Sequence, residues 1–408
     1  MELKSIIKYS LMGTLGLTIF NCQPDSTDQV DEEIETVSFM ESKVIPGSYI
    51  VVYNNANQRM APLPKVKTLQ EYTSQMNGLK RSFLNEFEAI GLEDSNITAT
   101  FGHAVNGFAA NLSEAQLQNL QNDPRVLRIE QNFTMSISPY KGKPGGGNTG
   151  TSDTQQIPYG TTRVGGGNTA SSHTAWVIDS GIDLDHPDLN VDVSRSVSFL
   201  SGSGANSADD QNGHGTHVAG TIAALDNNFG SVGVAPGTTV VAVRVLDRRG
   251  SGSLSGVIAG VDYVKAEGEA GDVANMSLGG GVSQILDNAV IAAAAESGVK
   301  FVLAAGNESN NADSHSPARA NGANIYTISA MDSDDNWAYF SNYGNPPVDY
   351  CAPGVGVYST WKNGGYNSIS GTSMAAPHAA GVLLLGNPSA DGTVNGDPDG
   401  NADAIIHL

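Results

Sequence analysis

The residues able to do chemistry in this chain lie in three short stretches. The first is "NGHGTHVAGT", residues 212–221, where His214 and His217 stand three apart behind Gly213. On a helix that spacing puts both rings on one face, where they could hold a metal ion. Alternatively, one ring is a base and the other packs. A metal pair wants a third histidine or a carboxylate, usually a glutamate between or beside the two, but the stretch offers Gly215 and Thr216. A base wants a carboxylate to orient it and a hydroxyl to activate. "VIDSGIDLDHPDL" offers the carboxylate, because Asp179 ends an apolar run that reads as a buried strand. "SISGTSMAAPHAAG" offers the hydroxyl, because Ser373 follows Gly371 and Thr372 and begins an Ala-rich helix, where a nucleophile gains from the helix dipole. The order Asp179, His214, Ser373 therefore predicts nucleophilic catalysis.

Three distant stretches need a scaffold that brings them together. "HTAWVIDSG", "TTVVAVRVLD", "GDVANMSLG" and "VKFVLAAGN" are β-rich runs, and helical stretches at 214–224, 253–266 and 283–297 lie between them. Strand alternating with helix predicts an α/β domain with a mainly parallel sheet covered on both faces. Sites in such sheets sit at the carboxyl ends of strands, where "DSG", "SLGG" and "AGN" occur.

Upstream of this domain the chain changes character several times. Residues 1–22 hold Lys4 and Lys8, an apolar run from Leu11 to Phe20, and then Cys22. The run is too short to span a bilayer and has the form of a signal peptide. Cys22 directly after it resembles a bacterial lipoprotein signal, which leaves two destinations open, secretion or a lipid anchor in the cell envelope. Residues 25–41 carry seven acids and no base, so 23–44 reads as an acidic spacer. Over 45–138 the pattern is strand, helix, two strands, helix, strand. "GSYIVVYN" is the first strand, and residues 67–91 show helical periodicity through Leu69, Met76, Leu79, Phe83, Phe87 and Ile90. "SEAQLQNLQNDP" opens on a Ser N-cap and closes before Pro124. Residues 139–153, "PYKGKPGGGNTGTSD", form a linker exposed enough for proteolysis, and 154–408 is the catalytic domain.

Composition narrows the function classes. A net charge of −21, from 21 basic and 42 acidic residues, argues against nucleic acid as a partner and fits a soluble extracytoplasmic protein. Acid pairs could also hold calcium. Cys22 and Cys351 are the only cysteines, so no intramolecular disulfide survives signal removal, and Cys351 reads as a small buried thiol.

From about residue 155 to 385 the chain resembles the subtilisin-like serine proteases, closest to the proteinase K branch, through "VIDSGID", "GHGTHVAGT" and "GTSMAAPH". Residues 45–138 resemble the inhibitory propeptide of that family, an open βαββαβ sandwich. The resemblance implies a serine endopeptidase made as a self-processing zymogen, acting as a monomer on protein and peptide substrates and inhibited by its own propeptide. Ser373 would be the nucleophile, His214 the general base and Asp179 its orienting acid. Asn307 in "AAGNES" would donate to the oxyanion together with the Ser373 N–H, and His217 becomes a packing residue. Gly250, Ser251 and Gly252, with Ser277, Leu278 and Gly279, match the two segments that sandwich a peptide as an added strand. Small, uncharged walls from Ser277 to Gly279 and from Ala304 through Ala305 to Gly306 should admit bulky apolar or aromatic P1 side chains, with Glu308 adding some tolerance of basic ones.

The same resemblance implies structural calcium and no catalytic metal. Asp188, Gln155 and the side chain of Asn227 would bind one ion with the carbonyls of Leu225, Phe229 and Ser231. A second site would use Asp349 with the carbonyls of Ala323 and Ile325. Two other readings are an inactive, subtilisin-shaped binding protein and a structural or adhesive surface lipoprotein, and neither accounts for Ser373. The polar stretch 387–408 stands where the family's closing helices are expected.

Overall fold

The computed structural model describes residues 42–54, 63–137, 154–202 and 206–408. The expected signal, Cys22, most of the acidic spacer and the 139–153 linker lie outside these residues.

The N-terminal domain follows the order read from its sequence: β1 (Val44–Tyr53), α1 (Leu69–Glu86), β2 (Ile97–Phe101), β3 (Gly107–Asn111), α2 (Glu114–Gln121) and β4 (Val126–Ser136). Its strands run antiparallel in the order β2-β3-β1-β4. The helical face predicted for α1 is the buried one, through Tyr72, Met76, Leu79 and Phe83. Ser113 caps α2 in a reciprocal box with Gln116, so two otherwise orphan donors are satisfied.

The larger domain begins with α3 (Tyr159–Arg163), β5 (Ala175–Asp179), β6 (Val197–Ser198), α4 (His214–Ala223), β7 (Val240–Arg244) and β8 (Ser251–Ser253). It continues through α5 (Leu254–Glu267), β9 (Val273–Met276), α6 (Gln284–Ser297), β10 (Lys300–Ala304), β11 (Ile325–Met331) and β12 (Val348–Pro353). A hairpin of β13 (Val357–Trp361) and β14 (Gly365–Ile369), the helix α7 (Thr372–Leu385), and β15 (Ser389–Thr393) with β16 (Ala404–His407) complete it. Nine strands form the main sheet in the order β15-β16-β12-β11-β10-β9-β5-β7-β6, parallel except for β15.

Side-chain alternation along the strands builds a core on each face of the sheet. Trp176, Ile178, Val241, Val243, Phe301 and Leu303 pack with α5 and α6 on one side. Ala175, Val177, Val240, Ala242 and Val302 pack with α4 and α7 on the other. The first core runs on without a break into the N-terminal domain, through Phe83, Phe108 and Met135.

The C-terminal end departs from the family's closing helices. β16 joins the main sheet beside β12, with Cys351 opposite Ile405, and β15 folds back on it as an exposed edge. Eight residues of the 394–403 turn are Gly, Pro, Asn or Asp, poor helix formers that favour turns instead.

Candidate active site

Asp179 is the last residue of β5, fully buried. His214 opens α4, and its Nδ1 lies 2.8 Å and 3.0 Å from the two carboxylate oxygens of Asp179. The Ser180 N–H also donates to Asp179 Oδ1 at 2.7 Å. An ionised acid at Nδ1 selects the tautomer whose Nε2 is free to accept a proton. That Nε2 is buried and has no hydrogen-bond partner among the described residues.

Ser373 stands in the first turn of α7, whose N-cap is Gly371. Its hydroxyl donates to the Ser277 carbonyl at 3.2 Å rather than to His214. The family's serine–histidine bond is therefore not made in this zymogen geometry, although all three residues converge at the carboxyl end of the sheet. The Ser277 hydroxyl donates in turn to the Ser373 carbonyl at 2.9 Å, and Asn275 Nδ2 donates to that hydroxyl at 2.8 Å.

Asn307 follows β10, where "AGN" was expected to sit. Its Oδ1 accepts the Thr372 N–H and the Thr372 hydroxyl, each at 2.9 Å, which turns the amide nitrogen toward the opposite side. His217 is fully buried, its Nε2 is 2.9 Å from the Val357 carbonyl, and burial pushes its pKa down to about 3. Its ring packs edge-on against Trp361. Cys351 is a buried free thiol whose pKa burial raises.

The two edges predicted to bind peptide are occupied by the N-terminal domain itself. β4 pairs antiparallel with β8, setting Ser136 opposite Ser251, Met135 opposite Gly252 and Thr134 opposite Ser253. On its other side, Ser136 and Gly279 exchange N–H···O bonds of 3.0 Å each. Ile137 N–H reaches the Gly250 carbonyl at 3.0 Å. Because β4 runs antiparallel to both edges, it heads toward Ser277 and hence toward Ser373.

A pocket opens between these edges and Ser373, lined by Leu278, Gly279, Ala304, Ala305, Gly306 and, beyond expectation, by Gly280 and His315. Glu308 also lines it, with a carboxylate that accepts the Asn307 N–H at 3.0 Å and the Asn342 amide. His315 Nε2 lies 3.5 Å from Glu308, and burial lowers its pKa. The signal for His315 was present only as a titratable residue eight positions after Asn307.

Of the residues expected to hold the first calcium, Asp188 meets Leu225, Asn227 and Ser231. Asp188 is fully buried, and its carboxylate accepts from Asn227 Nδ2 at 2.7 Å, Ser231 N–H at 3.0 Å and Tyr366 hydroxyl at 3.1 Å. Leu225 N–H bonds the Asp188 carbonyl at 3.0 Å, and Phe229 N–H bonds Asn227 Oδ1 at 2.8 Å. Gln155 reaches the neighbouring Asp226 at 2.9 Å, while Gln156 N–H bonds the Gly230 carbonyl at 2.9 Å. Burial raises the Asp188 pKa against the pull of its three donors and of nearby His186. The Ser231 hydroxyl is buried without a partner among the described residues. A buried carboxylate beside an unpartnered hydroxyl offers the hard oxygens that calcium takes. At the second place, Asp349 accepts the Thr327 N–H at 2.8 Å, beside the start of β11 where Ala323 and Ile325 lie. No group of three or more His, Cys, Asp or Glu among the described residues could hold a metal ion.

Fold and site together define a subtilisin-like α/β domain whose cleft is filled by a strand from its own N-terminal domain. The Subtilase family profile matches residues 175–391, and the Peptidase inhibitor I9 profile matches 48–138. The chain belongs to the subtilase family of serine proteases. Alkaline serine exoprotease A of Vibrio alginolyticus is 40% identical over 84% of this chain, and the match spans 60% of that protein. Extracellular serine proteinase of a Thermus strain is 36% identical over 92% of this chain and 88% of its own. A crystal structure of a cold adapted subtilisin-like serine proteinase superposes with a TM-score of 0.52 at 39% identity, covering 61% of this chain and 97% of that one.

Proposed function

We propose that this chain is a secreted serine endopeptidase, made as a zymogen that cuts itself within 139–153 and keeps its N-terminal domain as a slow-released inhibitor. The observation that carries the reading is the buried Asp179–His214 pair beside Ser373, with β4 lying along both peptide-binding edges like a substrate.

Ser373 Oγ attacks the scissile carbonyl while His214 Nε2 takes its proton. Asp179 fixes the tautomer and stabilises the imidazolium. Asn307 and the Ser373 N–H hold the tetrahedral oxyanion. Its collapse breaks the C–N bond, and His214 returns the proton to the leaving amine. Water then repeats the sequence on the acyl-enzyme and frees the acid.

Secretion is supported by the apolar N-terminal run and by the Thermus relative, whose name calls it extracellular. A lipid anchor at Cys22 is the finer alternative, and the chain acts as a monomer. Calcium is structural in this reading. Asp188, Gln155 and Asn227, with carbonyls of Leu225, Phe229 and Ser231, would hold the first ion. Asp349, with carbonyls of Ala323 and Ile325, would hold a second. When bound, calcium would supply fixed positive charge to buried carboxylates.

A fluorophosphonate probe should label Ser373 in the wild type and nothing in Ser373→Ala. That variant, purified without other proteases, should keep its linker uncut. A label elsewhere, or a shortened Ser373→Ala chain, would refute the catalytic or the self-processing part respectively.

A further inference from the structure

The helix that carries His214 begins without a cap of its own. Its N-cap is Gly213, with φ +111°, so the first-turn N–H groups need acceptors from outside. Gly213 and Thr216 N–H donate to the two oxygens of Asp210 at 2.9 Å and 3.0 Å. His214 N–H donates to Asn212 Oδ1 at 3.2 Å, and Gly215 N–H to Ser180 Oγ at 3.0 Å. Every one of these donors is satisfied, and Asp210 or a residue bonded to it does the work.

Asp210 is only 5% exposed. Besides the two helix N–H groups, it accepts the Thr216 hydroxyl at 2.7 Å, the Asn212 N–H at 2.8 Å and the Ser180 hydroxyl at 3.0 Å. Ser180 follows Asp179 directly, and its N–H bonds the same Asp179 oxygen that lies nearest His214 Nδ1. One buried carboxylate therefore links the end of β5, which holds the acid, to the first turn of α4, which holds the base.

We propose that Asp210 is a positioning residue for the acid–base pair: through Ser180 and Thr216 it fixes Asp179 against His214. This rests on reading Asp179 and His214 as triad members. Such an arrangement matters because small misplacements of reacting groups cost large factors in rate.

The test is Asp210→Asn in the full chain. Its kcat should fall roughly tenfold or more while KM stays within about twofold. Thr216→Val leaves the carboxylate and removes two bonds, one to Asp210 and one from the Asp183 N–H, so it should lower kcat less. Wild-type kcat in Asp210→Asn, or a change carried by KM rather than kcat, would overturn the proposal. Should Asp210→Asn fail to fold, Ser180→Ala and Thr216→Val decide it, and unchanged kcat in both refutes it. Fluorophosphonate labelling of the wild type reports on the triad separately, so the two failures are distinguishable.

Discussion

Ser277 and Ser373 hold each other by two hydrogen bonds, hydroxyl to carbonyl in each direction, at 2.9 Å and 3.2 Å. The carbonyl that receives the nucleophile's hydroxyl is part of the edge that pairs with peptide two residues on, at Gly279. A substrate N–H arriving at Ser277 competes for that oxygen. The Ser373 hydroxyl can then turn to His214 Nε2, which has no partner in the zymogen. In the proposed mechanism, substrate binding would be coupled to formation of the attacking pair through this one carbonyl.

The oxyanion donor gives the first prediction. Thr372 occupies Asn307 Oδ1 with two bonds, so the amide nitrogen has one orientation to offer. Asn307→Ala should lower kcat by about 10² to 10³, the size known for the corresponding donor in subtilisin, with KM little changed. Asn307→Asp can keep both Thr372 bonds, but it loses the donor and puts a negative charge beside the oxyanion. It should be at least as slow, and steady-state kinetics on a peptide substrate would show it. A fast Asn307→Asp enzyme would remove Asn307 from the oxyanion site.

Side-chain preference follows from the pocket. Its walls from Leu278 to Gly280 and Ala304 to Gly306 are small and uncharged, which suits a large apolar or aromatic P1 residue. Glu308 is the charged wall, and its side chain is only 7% exposed, with two donors already on its carboxylate. Burial keeps His315 neutral near pH 7, so it leaves that charge in place. Profiling of cleavage sites should therefore show Phe, Tyr or Leu preferred, with Lys tolerated and Asp or Glu refused. Glu308→Gln should reduce the cleavage after Lys several-fold and leave Phe unchanged. A strict requirement for Arg, or cleavage after acids, would contradict this pocket.

Release of the N-terminal domain should depend on pH through Asp262. This α5 residue is fully buried under the other domain, accepting N–H groups of Gly102, His103 and Ala104 at 2.6–3.3 Å and the Tyr72 hydroxyl at 3.2 Å. Burial outweighs these donors and raises its pKa to about 6 from a model-compound 3.8. In the released enzyme the carboxyl is solvated and returns toward the ordinary range. The complex then binds more protons than the separated parts between about pH 4 and 6, so its stability falls as pH rises through that window and is level above it. Glu267, beside Val66, is raised by burial in the same direction. Processed samples held at pH 4.5 and at pH 7, then assayed at one common pH, should activate faster from pH 7. Asp262→Asn should flatten the difference, and equal rates in the wild type would disprove the coupling.

Much of the site was legible because its chemistry sits in local phrases. Asp179, His214 and Ser373 each end a strand or open a helix in a recognisable run, and the strand–helix alternation announced the parallel sheet. Asp210 was not legible, since its role depends on residues 182 and 209 lying side by side across a loop, which no local pattern encodes. The C-terminal hairpin escaped for a related reason. β15 is exposed along its whole length and carries no apolar alternation, while β16 is held by a partner about fifty residues earlier in the chain. Wherever a non-local neighbour supplied the stabilisation, the sequence signal was weak.

Calcium provides the last prediction. Asp188 is a fully buried carboxylate met by neutral donors, and burial raises its pKa despite them and nearby His186. Gln155 lies just after the linker, and hydrogen bonds already bring residues 155 and 156 to the 225–231 loop. Asn227 and Gln155 each present an amide whose oxygen and nitrogen exchange by a half-turn of the side chain, which would direct oxygens to an ion. An ion bound only by the folded state adds RT ln(1 + [L]/Kd), roughly 3 to 4 kcal/mol at a hundred- to thousandfold excess over Kd. The single described cysteine is a free thiol, so no disulfide among the described residues compensates when the ion is withdrawn. Chelation should therefore speed thermal inactivation of the processed enzyme markedly, and added calcium should restore the slower rate. Asp188→Ala should inactivate quickly with or without chelator. Inactivation of the wild type at the same rate in both conditions would sink the calcium reading.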